Sequence, residues 1–221
     1  MKELLGKEIA KRIKNGDVIG MGTGSTVSAA LEEIAKRINA EKLEVTFVPS
    51  SYQTARQCEA LKLKVISPLY EGEIAWTFDG ADEVDPKLRL IKGRGGAMLQ
   101  EKILAEKSKR FLVIVDESKL VSKLGERALV PVEVVPSALG LVEKELMSLG
   151  AKSAQLRFGV AKHGPVITEA GNLIIDAAFP DIPDTLEAGI KKITGVVESG
   201  LFLTQADEVL VSGKKGISSL R

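Results

Sequence analysis

Histidine and cysteine are almost absent from this sequence of 221 residues, which contains one of each. A single cysteine excludes an internal disulfide bond and a CxxC metal site, and a single histidine disfavours catalytic triads and His-rich metal centres. We expect Cys58 to be an unreactive thiol on an apolar helix face rather than a nucleophile. His163 stands in the turn-like segment 162–165 and is predicted to be a surface residue.

The sequence has no excess of positive charge, since 31 Lys and Arg residues balance 30 Asp and Glu residues, and aromatic residues make up only 4%. A general nucleic-acid surface and aromatic platforms for single strands are therefore not expected. No run of about 18 apolar residues is present, and the first residues are charged and amphipathic, unlike a signal peptide. These absences predict a cytoplasmic protein with neither a nucleic-acid nor a membrane partner.

What the sequence does contain is an alternation of short apolar strands with amphipathic helices. The strands are continuous apolar runs, as at 111–115, which is typical of a parallel sheet covered on both faces. After about Ala128 the predicted order is β-α-β-β-α-β, the order of the ferredoxin-like unit. Segment 208–211 is predicted to be a strand that returns to the first sheet.

The expected fold is therefore α/β, with a parallel open Rossmann-like sheet and an inserted small α+β ferredoxin-like domain. We predict a catalytic α/β domain of residues 1–128 plus 205–221. The small α+β domain is predicted to consist of residues 129–204.

A glycine-rich segment lies between the first predicted strand and the second predicted helix, and consists of Gly22, Thr23, Gly24, Ser25 and Thr26. Glycines at such a junction let backbone N–H groups approach an anion, and Ser25 and Thr26 add hydroxyls that can cap the helix. The Walker A and dinucleotide-binding patterns both fail here. The segment is either a tight turn with a capped helix or a site for phosphate or sugar oxygens, and we favour the second.

Four carboxylates follow the apolar run 74–78 within seven residues, in the order Asp79, Asp82, Glu83 and Asp85. The carboxyl ends of parallel strands face the ligand crevice of an open sheet, so Asp79 is predicted at that edge. Three interpretations remain. The segment is a solvated turn, a divalent-metal site whose spacing does not match the EF-hand loop, or a site for proton chemistry or hydroxyl binding, which we favour.

A lysine and three glycines come next, in the segment Lys92, Gly93, Arg94, Gly95 and Gly96. Three glycines permit unusual backbone angles and a nest of N–H groups for an oxyanion or a phosphate. Lys92 adds a compact positive charge beside that nest.

Two further charged residues lie near the ends of predicted elements. Glu101 stands near the start of the next predicted helix, where it is either a partner of the helix dipole or a functional group. Lys119 follows the strand 111–115 and either belongs to a solvated helix start or binds phosphate.

Together these motifs resemble one family, the A-type ribose-5-phosphate isomerases. The similarity runs over nearly the whole chain in the right order. The matching segments are 22–26, 79–83, 92–97, 101–102, 118–119, 131–134 and 195–202. Arg94 is a departure, because many members carry glycine at that position.

The resemblance implies that the protein interconverts D-ribose 5-phosphate and D-ribulose 5-phosphate, a step of the pentose phosphate pathway, without a metal or an organic cofactor. It implies a homodimer or homotetramer, in which the small domain acts as a lid or an oligomer contact. It also implies a set of substrate-binding residues. These are Gly22, Thr23, Gly24, Ser25, Thr26, Gly80, Ala81, Gly93, Arg94, Gly95, Gly96 and Lys119.

The family's catalytic residues match Glu101, Asp79, Asp82 and Lys92. Glu101 would be the base that moves a proton between C2 and C1 through an enediolate. Lys92 would stabilise the negative charge on the substrate oxygens, Asp82 would pass a proton between O1 and O2, and Asp79 would assist ring opening.

Two other functions are compatible with parts of the sequence. A metal-dependent phosphohydrolase is suggested by the carboxylates at 79–85. A non-catalytic sugar-phosphate sensor would need the phosphate-binding loops but not Glu101 with Lys92.

Overall fold

The computed structural model describes all residues from Met1 to Arg221. The helices are α1 (Lys2–Arg12), α2 (Ser25–Glu41), α3 (Tyr52–Ala60), α4 (Met98–Lys107), α5 (Leu139–Ser148) and α6 (Leu186–Lys191). The strands are β1 (Val18–Met21), β2 (Thr46–Pro49), β3 (Lys64–Val65), β4 (Trp76–Asp79), β5 (Glu83–Val84), β6 (Leu90–Ile91), β7 (Phe111–Asp116), β8 (Val130–Val134), β9 (Ser153–Leu156), β10 (Leu173–Ala178), β11 (Val196–Ser199), β12 (Leu201–Phe202), β13 (Glu208–Gly213) and β14 (Gly216–Leu220). None of the helices combines the length and the apolar character that a membrane span requires.

The chain folds into two compact units, the first of residues 1–81, 100–119 and 205–221 and the second of residues 82–99 and 120–204. The predicted domains differ from these units, because residues 82–99 and 120–128 are predicted in the first and lie in the second. The reason is that β6 pairs with both β5 and β12, and Val121 N–H donates to Val84 O at 3.0 Å. Strands of two residues carry no periodicity from which such partners can be predicted.

The first unit is built on a seven-stranded sheet with the strand order β14-β13-β7-β4-β1-β2-β3. Every neighbouring pair is parallel apart from β13 and β14, which form an antiparallel hairpin at one edge. The predicted parallel open sheet is confirmed, and β13 returns to it beside β7, as expected. Strand β14 is not among the strands predicted from the sequence, because its residues, Gly-Ile-Ser-Ser-Leu, have little apolar character.

The central strands of this sheet are buried because their sequences are continuously apolar. β4 is buried at all four positions, and β7 from Phe111 through Val115. Cys58, on α3, is fully buried in the same core. Burial raises the pKa of the Cys58 thiol to about 12, so the thiol stays protonated and unreactive at neutral pH. The prediction of an inert core thiol is confirmed.

Glu208, the first residue of β13, is a fully buried carboxylate that joins separate segments of the first unit. Arg12 donates to both carboxylate oxygens, at 2.8 and 3.0 Å, and Ser219 Oγ donates at 2.8 Å. Arg110 adds a longer hydrogen bond of 3.2 Å. The hydrogen bonds from Arg12, and next those from Ser219, lower the pKa of Glu208 to about 2. The ionised form of this carboxylate therefore stabilises the fold.

We predict that Glu208→Gln lowers the free energy of unfolding by about 2–3 kcal/mol near neutral pH, because each pKa unit corresponds to about 1.4 kcal/mol. The pKa is lowered in the folded state, so the stabilisation is complete above the ordinary value of 4.5 and is lost as the pH falls towards about 2. Urea unfolding across this pH range measures the difference. Glu73→Gln, at an exposed ion pair, is the control and should change little. If the difference in the free energy of unfolding between the wild type and Glu208→Gln stayed constant down to a pH of about 2, the prediction would be contradicted.

The second unit contains the ferredoxin-like arrangement that the sequence predicts. The elements β8, α5, β9, β10, α6 and β11 follow one another, and the strands form an antiparallel sheet in the order β11-β8-β10-β9. Apolar side chains of the sheet and both helices form one core, with Val132, Val142, Ile175 and Ile190 fully buried. The inserted α+β domain is thus confirmed, and the short sheet β12-β6-β5 belongs to the same unit.

Candidate active site

The predicted site residues of the first unit follow the carboxyl ends of neighbouring parallel strands. β1 ends at Met21, directly before Gly22, and β4 ends at Asp79. β7 ends at Asp116, shortly before Lys119. Because β4 lies between β1 and β7, the three segments meet at one edge of the sheet, where open α/β sheets bind ligands.

Asp79 is fully buried and packs against the backbone of the glycine-rich segment. Its Oδ1 accepts hydrogen bonds from Gly80 N–H at 2.7 Å and from Thr23 N–H at 3.2 Å. A Cβ atom on Gly22 would lie 1.8 Å from Asp79 Cγ, so only glycine permits this approach. The predicted anion-binding segment therefore holds a carboxylate of the protein itself.

Three hydroxyl side chains that the sequence analysis did not select surround Thr23. Thr23 Oγ1 lies 2.8 Å from Ser50 Oγ and 2.7 Å from Ser51 Oγ, and Thr54 Oγ1 donates to Gly22 O at 2.9 Å. Ser50, Ser51 and Thr54 are all buried. Two of them, Ser50 and Ser51, could have been found from the sequence, because they directly follow β2 at the same sheet edge.

The predicted capping of α2 by Ser25 and Thr26 is wrong. The N-cap residue is Gly24, and no side chain caps the helix. Gly24 has a φ of 131°, a conformation that side-chain-bearing residues rarely adopt, so glycine takes the position before the helix. Ser25 Oγ instead accepts a hydrogen bond from Lys2 Nζ at 2.7 Å. Thr26 lies in the first turn of α2.

Two lysines supply positive charge near Asp116, and one of them, Lys2, also contacts the start of α2. The pKa of Asp116 is lowered, chiefly by the hydrogen bond from Ser118 and further by the charges of Lys119 and Lys2. Lys2 also holds Ser25 Oγ. Hydroxyl and ammonium groups next to a helix start are suited to binding a phosphate. No pattern in the sequence points to Lys2, which stands in a different helix from Ser25, at the start of an ordinary charged amphipathic segment.

Helix α4 runs antiparallel to β4. Just after the helix, Lys109 N–H donates to Ile74 O, which precedes β4, at 3.1 Å. Within the helix, Leu104 O accepts a hydrogen bond from Thr77 Oγ1, in the middle of β4, at 3.2 Å. The first turn of α4 therefore lies towards the carboxyl end of β4.

Glu101 stands in that first turn and is 4% exposed. The direction of α4 places it towards the end of β4 that carries Asp79. Burying a carboxylate costs several kcal/mol unless the surroundings compensate. A carboxylate that served only as a partner of the helix dipole would be expected to remain in solvent. The burial of Glu101 therefore favours a functional role.

The predicted residues of the second unit form a similar arrangement around Asp82. Arg94 N–H donates to Asp82 Oδ2 at 3.1 Å. Gly93 and Gly96 have φ angles of 98° and 79°, and Gly96 N–H donates to Gly93 O at 3.0 Å, so the loop is a tight turn that requires glycine. A second aspartate is thus held by a main-chain N–H group of a glycine-rich segment.

Lys92 is buried at the start of this loop, with 3% of the residue exposed. Its Nζ lies 5.5 Å from the centroid of the Phe202 ring, within the range of a cation–π contact. A Cβ atom on Gly200 would lie 2.1 Å from Lys92 O, and Gly200 O accepts from Lys92 N–H at 2.8 Å. The backbone of Gly200 therefore packs directly against the backbone of Lys92.

The other two carboxylates of segment 79–85 hold loops together. Glu83 accepts three hydrogen bonds from backbone N–H groups in segment 125–128, at 2.6–2.7 Å. Asp85 forms an ion pair with Arg89 at 2.6 Å. No group of three or more His, Cys, Asp or Glu side chains is arranged to hold a metal ion. The geometry therefore gives no support to the metal-site interpretation of segment 79–85.

Comparison with known proteins shows the family to which the chain belongs. The sequence profile described as "Ribose 5-phosphate isomerase A (phosphoriboisomerase A)" matches residues 46–216. The chain belongs to the ribose-5-phosphate isomerase A family. The resemblance inferred from the motifs is thus confirmed. The family consists of aldose–ketose isomerases, so the chain is an enzyme of this class.

Full-length relatives support this membership of the ribose-5-phosphate isomerase A family. The chain is 44% identical over 223 residues to ribose-5-phosphate isomerase A of Methanothermobacter thermautotrophicus, with 100% of this chain and 97% of that protein covered. The solved structure of ribose 5-phosphate isomerase A from Methanocaldococcus jannaschii matches with a TM-score of 0.95 at 44% identity, covering 100% of this chain and 97% of that one. A solved D-ribose-5-phosphate isomerase in complex with phospho-erythronic acid matches with a TM-score of 0.96 at 42% identity and the same coverage, 100% and 97%.

Proposed function

We propose that this protein interconverts D-ribose 5-phosphate and D-ribulose 5-phosphate. The observation that carries the proposal is the burial of Asp79 and Glu101 towards the carboxyl edge of one sheet, in a chain that matches the isomerase family over its full length. The relative solved with phospho-erythronic acid, a phosphorylated sugar acid, supports a sugar phosphate as the ligand.

Glu101 is the proposed base. It takes the proton from C2 of the open-chain aldose, the electron pair forms a C1–C2 double bond, and the negative charge moves to O1. The protonated Glu101 then gives a proton to C1 of the enediolate, the proton of the O2 hydroxyl passes to O1, and the C2–O2 bond becomes the carbonyl of the ketose. One carboxylate performs both transfers, and a group of this kind contributes about 10²- to 10⁴-fold in rate. The burial of Glu101 supports this role, because a side chain enclosed by its surroundings is held in the position that proton transfer requires.

The remaining catalytic assignments concern Lys92, Asp82 and Asp79. Lys92 stabilises the negative charge that develops on O1 and O2. Asp82, held by Arg94 N–H, passes a proton between these oxygens. Asp79, held by two backbone N–H groups, assists opening of the sugar ring. Fixed carboxylates of this kind need no reorganisation during the reaction.

The phosphate is proposed to bind at the start of α2. Ser25 and Lys119 are the predicted ligands there, and the hydrogen bond from Lys2 to Ser25 Oγ adds Lys2 to this group. Thr23 and Thr26 supply further hydroxyls. Backbone N–H groups of the two glycine-rich segments, 22–24 and 93–96, complete the contacts to phosphate or sugar oxygens.

We also propose a cytoplasmic homodimer or homotetramer that acts in the pentose phosphate pathway, with the second unit serving as a lid or an oligomer contact. Exposed apolar side chains of the second unit support a contact role. Phe158, Val160 and Ile167 are each more than half exposed, and clustered apolar exposure often marks an interface.

The proposed function is tested by turnover of ribose 5-phosphate in the presence of a chelator, with formation of ribulose 5-phosphate followed by NMR. We expect a kcat within the usual range for enzymes, about 1–10³ s⁻¹. Loss of activity that added metal restores, with release of inorganic phosphate, would favour the phosphohydrolase. Binding of ribose 5-phosphate without turnover would favour the sensor. Either outcome overturns the proposal.

A further inference from the structure

Arg157, the residue after β9, connects the ferredoxin-like sheet to the loop 93–96 within the second unit. Its Nη1 donates to Gly93 O at 2.9 Å and to Arg94 O at 3.0 Å. Its Nε and Nη2 donate to the two carboxylate oxygens of Asp176, on β10, with a distance of 2.7 Å for the Nε bond. The side chain is 15% exposed, so the guanidinium group is largely shielded from water.

The two carbonyl contacts determine which way the neighbouring N–H groups point. All peptide bonds of the chain are trans, and in a trans peptide the C=O and the following N–H point in opposite directions. Because Gly93 O faces Arg157, Arg94 N–H must point away from it, and this N–H indeed donates to Asp82 Oδ2. Because Arg94 O also faces Arg157, Gly95 N–H points away from Arg157 as well.

We propose that Arg157 is a positioning residue of the isomerase, which orients the loop 93–96 so that two successive N–H groups face the side of the loop that holds Asp82. This inference rests on the proposed function, because its kinetic consequence depends on Asp82 and the loop acting in the isomerisation. Arg157 itself does not touch the reacting atoms. It acts through the peptide groups that follow Gly93 and Arg94.

An arginine is required at this position by the number and geometry of the bonds. The planar guanidinium makes a two-point contact with Asp176 and still has a third nitrogen for both carbonyls. A lysine ammonium has three donors on one atom and cannot span the carboxylate and both carbonyls together. Asp176 in turn fixes the plane of the guanidinium, so β10 is the rigid support of the loop.

The experiment compares Arg157→Met with Arg89→Met in the full chain. Arg89 is a matched control, since it lies in the same unit and is 13% exposed. It bonds the carboxylates of Asp85 and Asp184 and the carbonyl of Ile182, none of which belongs to the loop 93–96. We expect Arg157→Met to lower kcat about 10- to 100-fold with KM changed less than about threefold, because misplaced catalytic groups slow the chemical step.

The control variant, Arg89→Met, should lose as much thermal stability as Arg157→Met but keep the kcat of the wild type. Arg157→Lys should recover only part of the rate.

Amide hydrogen exchange at Arg94 gives a readout that does not depend on turnover. Exchange there should accelerate in Arg157→Met and stay unchanged in Arg89→Met, because only the first variant releases the loop. Unchanged exchange and unchanged kcat in Arg157→Met would overturn the inference, as would an equal loss of kcat in both variants. Should Arg157→Met fail to fold, Asp176→Asn provides the same comparison with a milder change. An inactive wild type would overturn the proposed function, and Arg94 exchange would still decide whether Arg157 orients the loop.

Discussion

Glu101→Gln is expected to reduce kcat for isomerisation by about 10²- to 10⁴-fold while ribose 5-phosphate still binds. Glutamine has the size of glutamate and fills the same buried position, but its amide cannot accept a proton from carbon. Binding that depends on phosphate and hydroxyl contacts should therefore persist. The measurement is kcat and KM from the turnover assay, together with titration calorimetry using ribose 5-phosphate.

Exchange of the transferred hydrogen with solvent gives a second test of the same prediction. In deuterated water the wild type should incorporate deuterium at C1 of the product, whereas in Glu101→Gln the rate of incorporation should fall by the same factor as kcat. Glu106→Gln, on the same helix, is the control. The Glu106 carboxylate is exposed and accepts one hydrogen bond from Gln205 at 2.9 Å, so this variant should keep its activity. If Glu101→Gln retained most of its turnover, Glu101 would not be the base.

Gly22→Ala is expected to cause a loss of similar size by displacing a carboxylate rather than removing one. The new Cβ atom would lie 1.8–2.4 Å from the Cγ and both oxygens of Asp79, so the strand end or the Asp79 side chain must move. Asp79 is fully buried and has little room to adjust. A shift of about 1 Å in a catalytic group costs about 100-fold in rate, and overpacking costs about 1–3 kcal/mol of stability.

The measurements for Gly22→Ala are kcat/KM and the free energy of unfolding from urea titration. Gly140→Ala serves as the control, because a Cβ atom on Gly140 meets no atom within 4 Å and the residue lies inside α5. That variant should be as active as the wild type and slightly more stable, since alanine favours the helix over glycine. A Gly22→Ala protein with wild-type activity and stability would show that Asp79 is not confined as described.

The large sheet and the positions of the predicted aspartates follow from local patterns in the sequence. Continuous apolar runs predict buried parallel strands, and residues directly after such runs must lie at the carboxyl edge of the sheet. This rule places Asp79, and glycines between a predicted strand and a predicted helix identify the segment around Gly22. The assignment of Glu101 as the base came from the resemblance to a family, because a glutamate at a helix start has an ordinary structural explanation.

The remaining features depend on contacts between distant segments, which leave no periodic signal. Lys2 and Ser25 belong to different helices, and Arg157 lies more than sixty residues after the carbonyls that it holds. The strands β5, β6 and β12 have two residues each, so their pairing is decided by tertiary contacts rather than propensity. Gly24 precedes α2 because of its backbone angle, although Ser25 is the better capping residue by composition.

The position of β13 in the sheet has a consequence for the order in which the protein assembles. β7, a continuously apolar strand, obtains one of its two neighbours only from residues that follow the entire second unit in the chain. During synthesis a ribosome therefore releases β7 long before β13 exists, and its open side is a template for pairing with other nascent chains. Chaperone dependence and aggregation of truncated chains should thus be governed by how soon the hairpin of β13 and β14 closes that side.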